Sequence, residues 1–239
     1  MRDGSCIGDE MLQRMKYLHV AVLVAISASF AQAQASGPTR FTDFPHFRLI
    51  QGNVDSDRLP TSGARLCLVK PANLCYQMPS NTGYSSGSVV YDYGLDPRSE
   101  RLSLKDGGSL VFFSARFSGG GSGTLDSLAI LRYENAKKIV NLLPFVGVTE
   151  QSDRAVWVVP EASNFPILVT ADFYWMDGET HFSKHFYTVT AYCFDARGSR
   201  YAKAFSYRTS KKYPSLDDVD QVHVLEPERE EILRRLEKF

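Results

Sequence analysis

Residues 167–194 read ILVTADFYWMDGETHFSKHFYTVTAYCF. Two runs rich in β-branched and aromatic residues flank a polar centre, which is the composition of a hairpin and not of a helix. In the first run Ile167, Val169, Ala171, Phe173 and Trp175 fall on one face of a strand, and Leu168, Thr170, Asp172 and Tyr174 on the other. The first set is the more hydrophobic and is expected to face the core. The second run is apolar on both faces, as a central strand is. Asp177 and Gly178, between the runs, have the sequence of a tight turn.

The same pattern extends outward. Short β-rich runs occur at residues 89–93 (VVYDY), 101–104 (RLSL), 109–117 (SLVFFSARF), 127–133 (SLAILRY), 138–143 (KIVNLL), 154–159 (RAVWVV) and 201–208 (YAKAFSYR). Turn signals separate them at residues 106–108, 119–123, 134–135 and 197–198. No helix-length periodic segment intervenes. The expected fold is mainly β: an antiparallel β-sandwich or partly open barrel spanning roughly residues 88–225. Upstream, FTDFPHFRLI (41–50) reads as an edge strand interrupted by Pro45, RLCLV (65–69) as a short strand and residues 76–88 as a loop. Residues 41–80 are expected to join the same domain as an edge.

The C-terminal segment differs. Residues 226–238 read EPEREEILRRLEK, with Pro227 at a first helical position, Glu228, Glu230 and Glu231 early, and Arg234, Arg235 and Lys238 late. Both charge groups complement the helix dipole. Ile232, Leu233 and Leu236 form one apolar stripe, so an amphipathic α-helix packed on a sheet closes a single domain over residues 41–239.

The start of the chain carries an export signal. Arg14 and Lys16 precede an apolar stretch at residues 18–28, and Ala31-Gln32-Ala33 supplies the small residues a signal peptidase requires. That stretch is too short for the roughly 20 residues of a spanning helix. Asp3, Asp9 and Glu10 do not suit the basic end of a leader, so the start is expected at Met11 or Met15. Residues 1–33 are thus read as a signal peptide and residues 34–40 as a flexible N-terminus, with a periplasmic or extracellular destination and no membrane span in the mature chain. In an oxidising compartment Cys67 and Cys75 are natural disulfide partners, and closing so short a loop stabilises by about 2.5 kcal/mol on the chain-entropy model. Cys193, in the apolar run TVTAYCF, is expected to be a buried free thiol.

Charge narrows the functional classes. Lys+Arg and Asp+Glu number 27 each, and the first 33 residues hold three of each sign, so the remainder is balanced too. Sequence-independent nucleic-acid binding needs clustered basic charge and is disfavoured. The composition, 44% hydrophobic and 23% charged, is that of a globular chain and not a disordered one.

Three local patterns bear on chemistry. Residues 83–87 (GYSSG) match the G-x-S-x-G string, but a Ser/Asn/Pro loop precedes it and a β-rich run follows, where a nucleophile elbow needs strand, turn and helix. Residues 118–124 (SGGGSGT) lack the Lys of a phosphate loop and read as a connection between strands. Residues 177–185 (DGETHFSKH) are the densest group of potential ligands. Glu179 and His181 would lie about 7 Å apart on one strand face, whereas His181 and His185 in a regular strand would be about 13 Å apart, too far for one metal. Neither a metal nor another cofactor is expected.

Tyrosines are numerous, and Tyr174, Tyr187 and Tyr192 lie on the main hairpin, where they fill half-buried strands or contact a ligand. The candidate ligand-contacting residues are Glu179, His181, His185 and Tyr174, at the hairpin end where polar loops of a sandwich gather. The expected function is that of an exported, non-enzymatic binding or interaction module for a protein or carbohydrate. The alternative is an exported hydrolase acting on cell-envelope or carbohydrate material. A deep cleft with paired acids would favour the hydrolase; a shallow aromatic patch would favour binding.

Overall fold

The computed structural model describes residues 41–81, 90–105, 107–118, 124–160, 163–180, 182–214 and 222–238. The expected leader and N-terminus (1–40), the G-x-S-x-G string and His181 lie outside the described residues. Twelve strands and one helix follow in order: β1 Phe47–Ile50, β2 Arg65–Leu68, β3 Cys75–Gln77, β4 Leu95–Ser103, β5 Ser109–Ser118, β6 Thr124–Glu134, β7 Lys138–Asn141, β8 Val146–Thr149, β9 Asp153–Trp157, β10 Ile167–Tyr174, β11 Phe186–Asp195, β12 Arg200–Arg208 and α1 Arg229–Leu236.

They form three antiparallel sheets, ordered β1-β2-β3, β4-β5-β6-β7 with β8 also paired to β6, and β12-β11-β10-β9. No closed barrel forms among the described residues, and the architecture is sandwich-like. Alternation along the strands explains the stacking. On β5 and β6, Leu110, Leu128 and Ile130 enter one core with Leu168 of β10 and Phe194 of β11. Val111, Phe113, Ala115, Ala129 and Leu131 enter another with Leu66 and Leu68 of β2. The five-stranded sheet is therefore buried on both faces.

The four-stranded sheet is doubly covered as well. Ile167, Val169 and Ala171 of β10 and Val189 and Ala191 of β11 pack with Val224, Leu225, Ile232 and Leu236 around α1. The four layers are α1, the β9–β12 sheet, the β4–β8 sheet and the small β1–β3 sheet. This corrects the expectation that β10 has one core face: Leu168 is 0% exposed and Thr170 is 4% exposed on the other side.

Loop chemistry sets the hairpins. β5 and β6 pair to their ends, Phe117 with Leu125 and Ser118 with Thr124, and the glycine-rich run 119–123 expected to connect strands lies outside the described residues. Between β11 and β12, Asp195 accepts from the amides of Arg197 (2.9 Å) and Gly198 (3.1 Å), an Asx-type turn. Residues 90–93, expected in a strand, contribute only a bridge between Tyr91 and Asn81. β3 and β8, which the sequence did not single out, are three and four residues long.

The Cys67–Cys75 disulfide joins directly opposed residues of β2 and β3. Cys193 is buried, but it is disulfide-bonded, so the expected free thiol is corrected. The helix begins two residues beyond Pro227, because residues 225–228 form a preceding turn. Asp153 Oδ2 accepts from the Val224 and Leu225 amides at 2.8 Å each, tying that turn to β9.

Candidate functional site

The β10–β11 hairpin is the region on which the sequence places its candidate residues. Its strands pair up to Tyr174 opposite Phe186, so an 11-residue loop separates them in place of the two-residue turn expected at Asp177 and Gly178. A turn does occur there, with Gly178 at φ 79°, a conformation that favours glycine. The Glu179 amide donates to the Met176 carbonyl at 3.1 Å, and the Ser183 amide to the Thr180 carbonyl at 3.0 Å. Two successive tight turns thus build the loop.

Glu179 holds this loop together from inside. Its Oε2 accepts from the Met176 amide at 3.0 Å and lies 2.9 Å from His185 Nδ1, while Oε1 accepts from Lys212 Nζ at 2.6 Å. These donors hold the carboxyl far below its ordinary range, at about 2, with Lys212 the largest influence. An ionised carboxylate only accepts, so His185 Nδ1 carries the hydrogen it shares. The Glu179 side chain is 7% exposed and that of His185 1%.

His185 is fixed on every side. Its backbone pairs with Tyr213, its ring packs on Phe173 (5.0 Å) and Trp175 (5.3 Å), and Nε2 finds no hydrogen-bond partner among the described residues. Glu179 and His185 are brought together, but as a buried knot and not as the solvated rim a hairpin tip suggests. Lys212 was missed as part of it. Its distance along the chain hid it, although the basic and aromatic stretch 207–213 was the available signal.

Above this knot the loop turns large apolar side chains outward. Tyr174 is 42% exposed, Trp175 46%, Met176 41% and Phe182 69%. Four such residues fall within nine positions; elsewhere among the described residues the exposed large hydrophobics are Val54, Leu59, Val69, Val90, Phe145 and Val158. Cations border the cluster. Arg208 lies over the rings of Tyr174 (5.4 Å) and Phe186 (5.2 Å), and Lys212 lies over Phe186 (5.4 Å). Of the other hairpin tyrosines, Tyr187 is fully buried and Tyr192 packs in the inter-sheet core.

A second concavity, about 620 Å³, lies between β12 and α1, lined in part by Arg208, Lys211, Glu228, Glu231, Arg234 and Arg235. Its acids are already engaged. Glu228 accepts from the hydroxyls of Tyr207 (3.0 Å) and Tyr213 (2.6 Å), and Glu231 accepts from Arg234 and Arg235. This carboxylate raises both tyrosine hydroxyls beyond what burial alone does. The arrangement clamps α1 to the sheet.

No group of three or more His, Cys, Asp or Glu suited to hold a metal occurs among the described residues. No helix among them is long and apolar enough to cross a membrane. No family model matches the chain, and no curated protein matches it. A solved structure described as "Crystal structure of CarG" is similar over 52% of this chain and 89% of that chain, at 17% identity and a TM-score of 0.36, a likeness that carries no argument.

Proposed function

We propose that this chain is an exported, non-enzymatic binding module and that the β10–β11 loop is its contact surface. The observation that carries this reading is the exposure of Tyr174, at the end of β10, and of Trp175, Met176 and Phe182 in a loop pinned by buried Glu179. Aromatic residues and Met are enriched in the cores of binding interfaces. A pinned loop also loses little conformational freedom when it is covered. Export rests on the leader pattern, and the Cys67–Cys75 disulfide fits an oxidising compartment.

The hydrolase alternative finds less support. Its best acid–histidine pair, Glu179 and His185, is buried with both carboxylate oxygens occupied, so neither group is presented to a substrate. Hydroxyl-radical footprinting tests the proposal, because Met, Trp, Tyr and Phe are reactive side chains. In the presence of the envelope fraction of an exporting host, Tyr174, Trp175, Met176 and Phe182 are expected to be protected relative to the purified protein. Protection confined to Phe145 or the β12–α1 cleft would overturn the assignment.

A further inference from the structure

We propose that the outer edge of β4 pairs with the same edge of a second copy of this chain, an inference that does not depend on the β10–β11 loop. β4 ends the five-stranded sheet and is bonded to β5 alone; no strand or bridge among the described residues lies on its other side. The Leu104 amide donates to the Gly108 carbonyl at 2.8 Å, which sets the alternation of the β4–β5 ladder. Leu102, Glu100 and Arg98 therefore bond inward, opposite Leu110, Phe112 and Ser114, and the N–H and C=O groups of Ser99, Arg101 and Ser103 point outward. Ser109, opposite Ser103, fits this phase: its amide turns away from β4 to the Thr42 carbonyl at 3.4 Å. The side chains of Arg98, Ser99, Glu100 and Arg101 are all exposed. An open row of backbone groups of this kind is a template for another strand.

Charge selects the occupant and its register. An edge kept single carries charges that repel a neighbour. Here Arg98 and Glu100, of opposite sign, flank Ser99 on one strand face, and neither forms an ion pair among the described residues. A two-fold axis at Ser99 makes the two Ser99 backbones a hydrogen-bonded pair and sets each Arg98 opposite the partner's Glu100. Those are non-hydrogen-bonded positions, where facing side chains come closest. The Arg101 amide then donates to the partner's Pro97 carbonyl, and Pro97, without an N–H, needs no acceptor in return. A two-fold axis at Arg101 instead opposes two arginines and sets Glu100 against Leu102, which charge disfavours. The Arg101 side chain is already held on its own protomer by Asp43 Oδ1 (3.2 Å) and the Pro45 carbonyl (3.2 Å). Asp96, at φ 45° in the bulge before Arg98, ends the segment that can pair. That segment, residues 97–101, is short and polar, which fits a reversible dimer and not an obligate one.

The test is sedimentation velocity of the purified chain over a dilution series. A monomer–dimer equilibrium is expected, and it should weaken as salt rises because both ion pairs are exposed. Ser99→Pro removes an outward amide and leaves its neighbours' bonds to β5 in place, so it should give a monomer with the circular dichroism spectrum of wild type. Arg98→Glu and Glu100→Arg should each weaken self-association about tenfold or more, since both cross-strand pairs become repulsive. Mixed in equal amounts, these two variants again oppose unlike charges at both positions, and a heterodimer is expected; the double variant should regain a homodimer. Misfolding would not be rescued by mixing. Trp175→Ala with Phe182→Ala, in the β10–β11 loop, should leave the dimer unchanged. A monomer at every concentration, a dimer indifferent to Ser99→Pro, or a dimer lost through the loop pair overturns the β4 interface. Loss of the dimer in both charge variants without recovery on mixing overturns its register.

Discussion

Two carboxylates of the β10–β11 hairpin are pushed in opposite directions by their surroundings. Asp172, facing the seam between the two large sheets, accepts from Thr149 Oγ1 (2.5 Å), the Thr149 amide and the Phe173 amide (3.1 Å). None of these donors is a cation, and desolvation outweighs them, so its carboxyl is raised above the ordinary value. Glu179, seven residues on, meets Lys212 and His185, and falls to about 2. The contrast separates two uses of buried polarity. The seam locks layer to layer, since Thr149 lies on β8 and Asp172 on β10. The knot locks a loop to itself and to the segment after β12, leaving its outer surface free for contact.

Asp126 carries the seam's largest expected effect. It is 6% exposed and receives Arg116 Nε at 3.0 Å and, from the facing sheet, Arg154 NH1 at 2.6 Å. Asp126→Ala takes from Arg154 its Asp126 partner and leaves Arg116 only the longer pairs to Glu150 (3.7 Å) and Asp96 (3.9 Å). Removing one partner of a buried ion network costs about 3 kcal/mol or more. Urea unfolding at neutral pH measures it. A loss below about 1 kcal/mol would show that solvent reaches the arginines and that the seam is no interlayer lock.

The pH slopes of the two hairpin carboxylates should oppose each other. Asp172 binds its proton more tightly folded than unfolded, so its contribution is most favourable below the ordinary aspartate value and is lost as pH rises through the folded pKa. The stability of wild type relative to Asp172→Asn should therefore fall as pH rises from 4. Glu179 behaves in the reverse sense. Its contribution is complete above the ordinary glutamate value of 4.5 and is lost as pH falls towards about 2. Wild type should exceed Glu179→Gln in urea midpoint at pH 6, and the gap should close by pH 2. Parallel slopes would dissolve the distinction between seam and knot.

Much of the fold was legible along the chain, and the reason is periodicity. β5, β6, β9, β10, β11 and β12 coincide with runs dense in β-branched and aromatic residues, and Asp195 marks its own turn. The layer count was not legible. Leu168 and Ile167 are both fully buried, and a hydrophobic count that assigns one face to the core cannot see that a second sheet covers the other. Short strands such as β8, with Gly147 in its centre, leave too little pattern. At the candidate site, the sequence singled out residues whose surroundings it could not show. Glu179 and His185 read as ligands because they are polar at a hairpin tip; they are buried because Lys212, 33 positions from Glu179, and the backbone of Tyr213 return to meet them. Long-range closure of that kind has no local signature.

The smallest expected change in stability concerns the residues with the most to do with contact. Phe182 is 69% exposed and Met176 41% exposed, so folding leaves much of their surface in water. Surface substitutions of this kind stay within about 0.5 kcal/mol. Phe182→Ser with Met176→Ser should therefore leave the urea midpoint unchanged and abolish footprint protection by the envelope fraction. The same exposure predicts a gain in solubility, because an exposed apolar patch is also a site of self-association. Ile232→Ala gives the converse control: a fully buried α1 residue whose truncation costs about 2–4 kcal/mol while the distant loop keeps its protection. If the serine pair lost stability on the scale of Ile232→Ala, the loop's aromatics would be shown to brace the knot beneath them. The exposed cluster would then belong to the fold, and the contrast between seam and tip would collapse.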